Sequence, residues 1–297
     1  MSLLEQLPTR MLGLGRCIFY KNIAACMLDY YGEGAQDNLR RAVHRLGERL
    51  GSLERQAQLK AGSLANLKSC FLLPRSYVMD SRVRMAWQLF NEQEAVFDVL
   101  CCPMRELMRS SVSGEATASL IIFCEEYHHG FIMGYTNGVG QCCLSEDHQF
   151  PLESSCHISC YFRPANMQGD ERRLCFSAYE AGEAEPPKHI ASDVCAGEYY
   201  SRWAAMLISS IINENTELSD SIEHVLACGI RSAANETLEQ LKKHAAVTRA
   251  KLNAGFAGAN CLFFGKGSNA CNGDAVAHKL IRLNYMPIIT EALEHEQ

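Results

Sequence analysis

The period of the apolar residues changes twice along this chain, and that change limits the folds open to it. From about Gly15 to Gln58 the spacing is helical: Ile18, Ile23, Cys26 and Met27 share a stripe, as do Leu39, Val43, Leu46 and Leu50. Val83, Met85, Trp87 and Leu89 then alternate with Arg82, Arg84, Ala86 and Gln88, the pattern of a strand with one covered face. Asn91-Glu92-Gln93-Glu94 reads as the turn into a second strand over residues 95–100. A helix is expected after Pro103 and another over residues 115–135, and three strand-like stretches follow at 141–144, 156–162 and 174–179. Residues 181–188, polar and carrying Pro186 and Pro187, form a linker. Helical spacing then returns at 200–213 and at 219–252, the second with a break. This order predicts an α+β domain of helices and antiparallel hairpins at 1–180, a linker at 181–200, and a helical segment with a partial α/β domain at 201–297.

At 297 residues the chain has room for two cores. Its 47% hydrophobic and 21% charged residues exclude wholesale disorder. Runs such as Cys261-Leu262-Phe263-Phe264 are too short to cross a bilayer. With 28 Lys and Arg against 34 Asp and Glu, the net charge of -6 argues against a dominant nucleic-acid surface. Arg40, Arg41, Arg45, Arg49 and Arg55 lie along one helix, but Glu48 and Glu54 intervene, so a solvated face is expected.

Fifteen cysteines suit a disulfide scaffold only in a short secreted chain. Here the number is odd, and the start Met1-Ser2-Leu3-Leu4-Glu5 lacks a basic, then apolar, signal. A cytoplasmic location is expected, with most cysteines acting as small buried hydrophobes. A few remain for metal or for thiolate chemistry.

The densest group of such residues is Cys124-Glu125-Glu126-Tyr127-His128-His129-Gly130, followed by Glu146, His148 and Cys156. Thiolate and imidazole together suit zinc. Cys124 falls on a helix, and a hairpin can bring His148 and Cys156 to it; His128 and His129 are alternative ligands. Neighbours on a helix point about 100° apart, so only one of those two faces a given site. Cys101 and Cys102 offer a different chemistry, a thiolate nucleophile activated by His128 or His129. Tyr77, Trp87, Phe90 and Phe97 fit either an apolar ligand pocket or, more simply, a core.

The spacing of Cys124, Gly130-Phe131 and Gly134-Tyr135-Thr136 resembles the 4-vinyl reductase domain, a small-molecule-sensing module, over about residues 96–164. That resemblance implies a zinc site in which Cys124 and Cys156 match the first and last ligands and Glu146 lies near the acidic position. His148 stands where the family has a cysteine. A second likeness, over 98–162, is to aminothiazoline-carboxylate hydrolase-like proteins, through Cys102-Pro103, Cys124 and Cys156. It implies a ring-opening hydrolase working through a Cys thiolate or a metal-bound water, with Cys102, Cys124 and His129 as the candidate catalytic residues.

Near the C-terminus, Cys261-Leu262-Phe263-Phe264 runs into Gly265-Lys266-Gly267-Ser268-Asn269-Ala270, and then a helix over 274–283 leads to Met286-Pro287-Ile288-Ile289-Thr290. Strand, glycine turn, helix, strand is the start of a parallel sheet, and such a turn suits an anion. The motif lacks the third glycine of the dinucleotide fingerprint and the ending of the Walker loop. Together with 238–241 and 278–282, it resembles the sugar isomerase (SIS) domain of ribose-isomerase-repressor-type regulators. Phosphosugar binding by Gly265, Gly267, Ser268 and Asn269 is then implied, although the chain covers only the first part of that domain.

The sequence thus predicts a cytoplasmic sensing protein that binds a small apolar or aromatic effector. Structural zinc, a phosphosugar or dimerisation role for the SIS-like segment, and a homodimer complete the expectation. DNA binding and membrane insertion are not expected. The alternatives are the ring-opening hydrolase and an SIS-type transcription regulator.

Overall fold

The computed structural model describes residues 3–73, 83–102, 114–144, 156–187, 196–245 and 275–294. Along the chain run α1 (Leu3–Tyr31), α2 (Gly34–Lys60), α3 (Leu67–Leu72), β1 (Arg84–Phe90), β2 (Glu94–Cys101), α4 (Gly114–Tyr135), β3 (Gln141–Leu144) and β4 (Cys156–Tyr161). Then follow α5 (Gly169–Cys175), α6 (Ala196–Glu214), α7 (Ser219–Ala245), α8 (Ala275–Asn284) and α9 (Met286–Glu294). They form two compact units, one of Met1–Ala42, Glu106–Ile122 and Cys195–Gln297, the other of Val43–Arg105 and Phe123–Val194.

The first unit is helical throughout its described residues. Gly32, at a φ of 68°, lets α1 end: its N–H bonds back to Leu28 O at 2.8 Å, and α2 starts two residues later. Of the apolar stripe read from the sequence, Ile18, Ile23 and Met27 are fully covered while Cys26 is half-buried, and Phe19, outside that stripe, is fully covered as well. Phe19 packs on Trp203 and Tyr285, with ring centroids 6.3 and 6.1 Å apart. Helices α1 and α7 come close enough at Gly229 that an added Cβ would lie 2.7 Å from Ile23 Cα. Beside that contact Lys21 Nζ meets Glu236 Oε1 at 2.6 Å, and Asn22 Nδ2 donates to Glu236 Oε2 at 2.8 Å.

The second unit contains a four-stranded antiparallel sheet in the order β1-β2-β4-β3. Asn91 makes the expected turn by accepting from the N–H groups of Gln93 and Glu94, both at 2.8 Å. In β4 the alternation is clean: Cys156, Ile158 and Cys160 are buried, while His157, Ser159 and Tyr161 lie half-buried on the other face. Trp87, Phe90 and Phe97 cluster with Phe71, with centroids 4.7 to 6.2 Å apart; Phe90 and Phe97 are core, and Trp87 is half-buried at its edge. Tyr77 lies outside the described residues.

Helices and a small antiparallel sheet bear out the mixed α+β expectation, but two strand expectations fail. Residues 174–179 are not a strand, because α5 runs to Cys175. Its first turn carries Asp170 and Glu171 and its last Arg172 and Arg173, charges that suit the helix dipole. Met286-Pro287-Ile288-Ile289-Thr290 is also helical, within α9. Pro287 falls in the first turn, where its missing N–H costs nothing, and Tyr285 and Ile289 are buried four residues apart. The second strand of the expected parallel sheet is therefore a helix; its first strand and the glycine turn lie outside the described residues. Nor is α7 broken within its described length.

Candidate metal centre

Two glycine pairs build the centre. Gly47 and Gly51 on α2, and Gly130 and Gly134 on α4, are each four residues apart and so share a helix face. A Cβ on Gly47 would lie 2.6 Å from Tyr127 O and 2.7 Å from Phe131 N. On Gly51 it would strike Phe131 O, on Gly130 His44 O, and on Gly134 Glu48 O. Only hydrogen fits at the four positions, and the backbones meet directly. Ser52 Oγ seals the crossing by donating to Gly134 O at 3.3 Å.

That approach decides which side chains face each other. His44 sits one turn before Gly47, and Glu126 and His129 sit just before Gly130, three residues apart on one face. One donor atom from each of His44, Glu126 and His129 falls within 4.8 Å of the others. His44 Nδ1 is 3.4 Å from Glu126 Oε2, and the His44 and His129 rings meet edge to face at 5.1 Å. Tetrahedral ligands about 2.1 Å from a common ion stand about 3.4 Å apart, the spacing of His44 and Glu126, with His129 close by. The remaining His44 nitrogen, Nε2, faces Glu48 Oε1 at 3.6 Å, where a carboxylate orients a ligating imidazole. The side chains of His44 and Glu126 are 24% and 22% exposed, which leaves an approach from solvent.

His128 is not among these donors; its ring meets Tyr127 edge to face at 5.7 Å. Burial pushes its pKa down to about 4, so it is a neutral imidazole. Only one of the adjacent histidines serves the centre, as helix geometry requires.

Of the residues singled out from the sequence, His129 alone joins this group. Cys124 is half-buried on α4, and Cys156 is buried at the start of β4, opposite Val99. Glu146 and His148 lie outside the described residues, as do Gly265, Gly267, Ser268 and Asn269. Cys101 closes β2 and Cys102 follows it, both half-buried. No disulfide joins cysteines among the described residues. Cys142 and Cys160 face each other across β3 and β4 with sulfurs 3.6 Å apart; that contact and burial raise the Cys160 pKa well above the usual thiol value. Sequence reasoning missed His44 and Glu126. The signal was there, in matching glycine pairs on two helices with a histidine or an acid-histidine pair beside each.

The chain matches no family model, no curated protein and no solved structure. Among the described residues no helix is long and apolar enough to cross a membrane.

Proposed function

We propose that this protein is a small-molecule-sensing regulatory protein whose sheet-containing unit holds a zinc-class divalent ion on His44, Glu126 and His129. The observation that carries the reading is the convergence of three donors, drawn from two helices whose spacing is fixed by backbone contact. Two imidazoles and a carboxylate form a borderline-soft set suited to zinc. Three protein ligands leave a fourth position, and when bound the ion supplies a Lewis-acid contact for an effector with an oxygen, nitrogen or sulfur donor. The protein's part is to hold the ligands at fixed spacing and to keep His44 in the tautomer that presents Nδ1. This centre is a separate reading from the one expected at Cys124, Glu146, His148 and Cys156, two of whose members lie outside the described residues.

Elemental analysis of purified protein, dialysed against zinc and then against buffer, tests the assignment. Close to one zinc per chain is expected, falling below about 0.2 in both His44→Ala and His129→Ala, since removing one of three protein ligands leaves only two to hold the ion. Equal zinc in Cys156→Ser supports the helix site. Loss of zinc in Cys156→Ser with retention in His44→Ala overturns it in favour of the cysteine set.

A further inference from the structure

Away from the glycine crossing, the half-buried face of the sheet carries a row of three residues that the metal reading leaves unused. Asp98 on β2 stands directly opposite His157 on β4, and Ser159 lies two residues further along β4 on the same face. Asp98 Oδ1 is 2.9 Å from His157 Nδ1, and Ser159 Oγ is 3.2 Å from His157 Nε2. The second carboxylate oxygen, Oδ2, accepts from Gln88 Nε2 at 2.8 Å, so Asp98 is held from β1 as well. An ionised carboxylate only accepts, which places the imidazole proton on Nδ1 and leaves Nε2 to accept from the serine hydroxyl. Carboxylate, imidazole and hydroxyl are therefore linked in the order of a nucleophilic serine, its base and the group that orients the base.

We propose that Ser159, His157 and Asp98 form an acyl-transfer site for short-chain carboxylic esters. Ser159 Oγ bonds to the ester carbonyl carbon while His157 Nε2 takes the hydroxyl proton. The carbon–alkoxy bond then breaks, and His157 returns the proton to the departing alcohol. Water, deprotonated by His157, hydrolyses the acyl-serine and restores the hydroxyl. Asp98 acts through His157 and is a positioning residue. The nearest room for the acyl group is reached through Tyr161, the next residue on that face of β4, which with Val139, Gln141, Arg163 and Asn166 lines a cleft of about 270 Å³; Ser159 itself does not line it. That volume is at the small end for a ligand site, which is why the acyl chain is short. Arg163, 5.8 Å over the Tyr161 ring and bonded to Glu94 at 2.7 Å, makes one wall polar.

The test is covalent labelling of the full chain with a fluorophosphonate. The serine oxygen displaces fluoride at phosphorus, and the adduct is read by intact mass and peptide mapping. An adduct on Ser159 is expected, with a labelling rate at least about a hundredfold lower in His157→Gly, the scale of a lost general base. Added imidazole should restore labelling of His157→Gly, which a purely structural histidine would not allow. Asp98→Asn should slow labelling at least about tenfold and Asp98→Glu should recover part of the loss, with unchanged melting temperatures. Hydrolysis of 4-nitrophenyl acetate should follow the same order and persist in Cys143→Ser, which removes the exposed thiol paired with Ser159 across β3. No adduct, an adduct elsewhere, or labelling indifferent to His157 overturns the proposal. Mapping on the unsubstituted protein decides the matter even where a variant fails to fold.

Discussion

At the scale of single residues, the side chains that titrate abnormally mark where the fold tolerates no charge. His128 is the clearest, because its pKa falls from 6.5 to about 4 through burial. As pH drops below 6.5 the unfolded chain binds this proton first, while the folded protein still excludes it. Stability present above pH 6.5 is therefore lost between 6.5 and 4, with a ceiling of about 1.4 kcal/mol per pH unit for one group. The ring is only half-buried, so the measured slope falls below that ceiling. Melting temperatures of the parent and of His128→Gln, taken from pH 7.5 to 4.5, check this. The parent should lose more over that window than the variant, and parallel curves would show that His128 is not the responsible group. Asn66 shows the opposite case, a buried polar residue fully used. It caps α3 by accepting from Ser69 N at 2.9 Å and donates to Cys175 O at 2.9 Å.

At the scale of elements, the sequence was legible wherever one period ran long enough. The stripe of α1 apart from Cys26 and the extent of α4 follow from spacing, and the β1–β2 turn from Asn91. The alternation of β1, however, breaks at an irregularity between Trp87 and Leu89, which leaves Leu89 exposed and Phe90 buried. The sequence misled at 286–290, where adjacent isoleucines suggested a strand but Pro287 and the Tyr285–Ile289 spacing suit a helix. It was silent on the α2–α4 crossing, because a glycine pair four residues apart says that something comes close without saying what. Ser52 and Gly134, joined there by a hydrogen bond, are 82 residues apart. The candidate centre shares that silence, since His44 and Glu126 gain meaning only once the helices meet. Gly130→Ala tests the crossing directly. Its Cβ would strike His44 O, a backbone atom that cannot rotate away, so a cost of at least about 2 kcal/mol is expected in urea unfolding, within the overpacking range. Gly169→Ala, with nothing within 4 Å of the added atom, should be near neutral. A neutral Gly130→Ala would mean that the helices are further apart than described.

At the scale of the whole molecule, the helical unit joins segments from opposite ends of the chain, and Lys21 and Glu236, in contact at 2.6 Å, are separated by 215 residues. Periodicity tells which face of α1 is covered but not that α7 covers it, which is why this pairing could not be read from spacing. The physical consequence is dependence: α7 presents Ile222, Val225, Leu226 and Ile230 as buried surface, and α1 supplies Ile18, Phe19, Ile23 and Met27 to the same core. At about 25 cal/mol per Å² of apolar area, or roughly 1.5–3 kcal/mol per buried side chain, removing four large side chains from a core costs about as much as the whole margin by which most domains are stable. Deleting residues 1–31 should therefore do more than subtract one helix. Far-UV circular dichroism should lose more helical signal than those residues account for, and a hydrophobic dye such as anilinonaphthalene sulfonate should bind where the parent does not. A shortened chain that keeps the rest of its helix signal and binds no dye would show that α6 to α9 hold together without α1, and that the contact at Gly229 is incidental to the core.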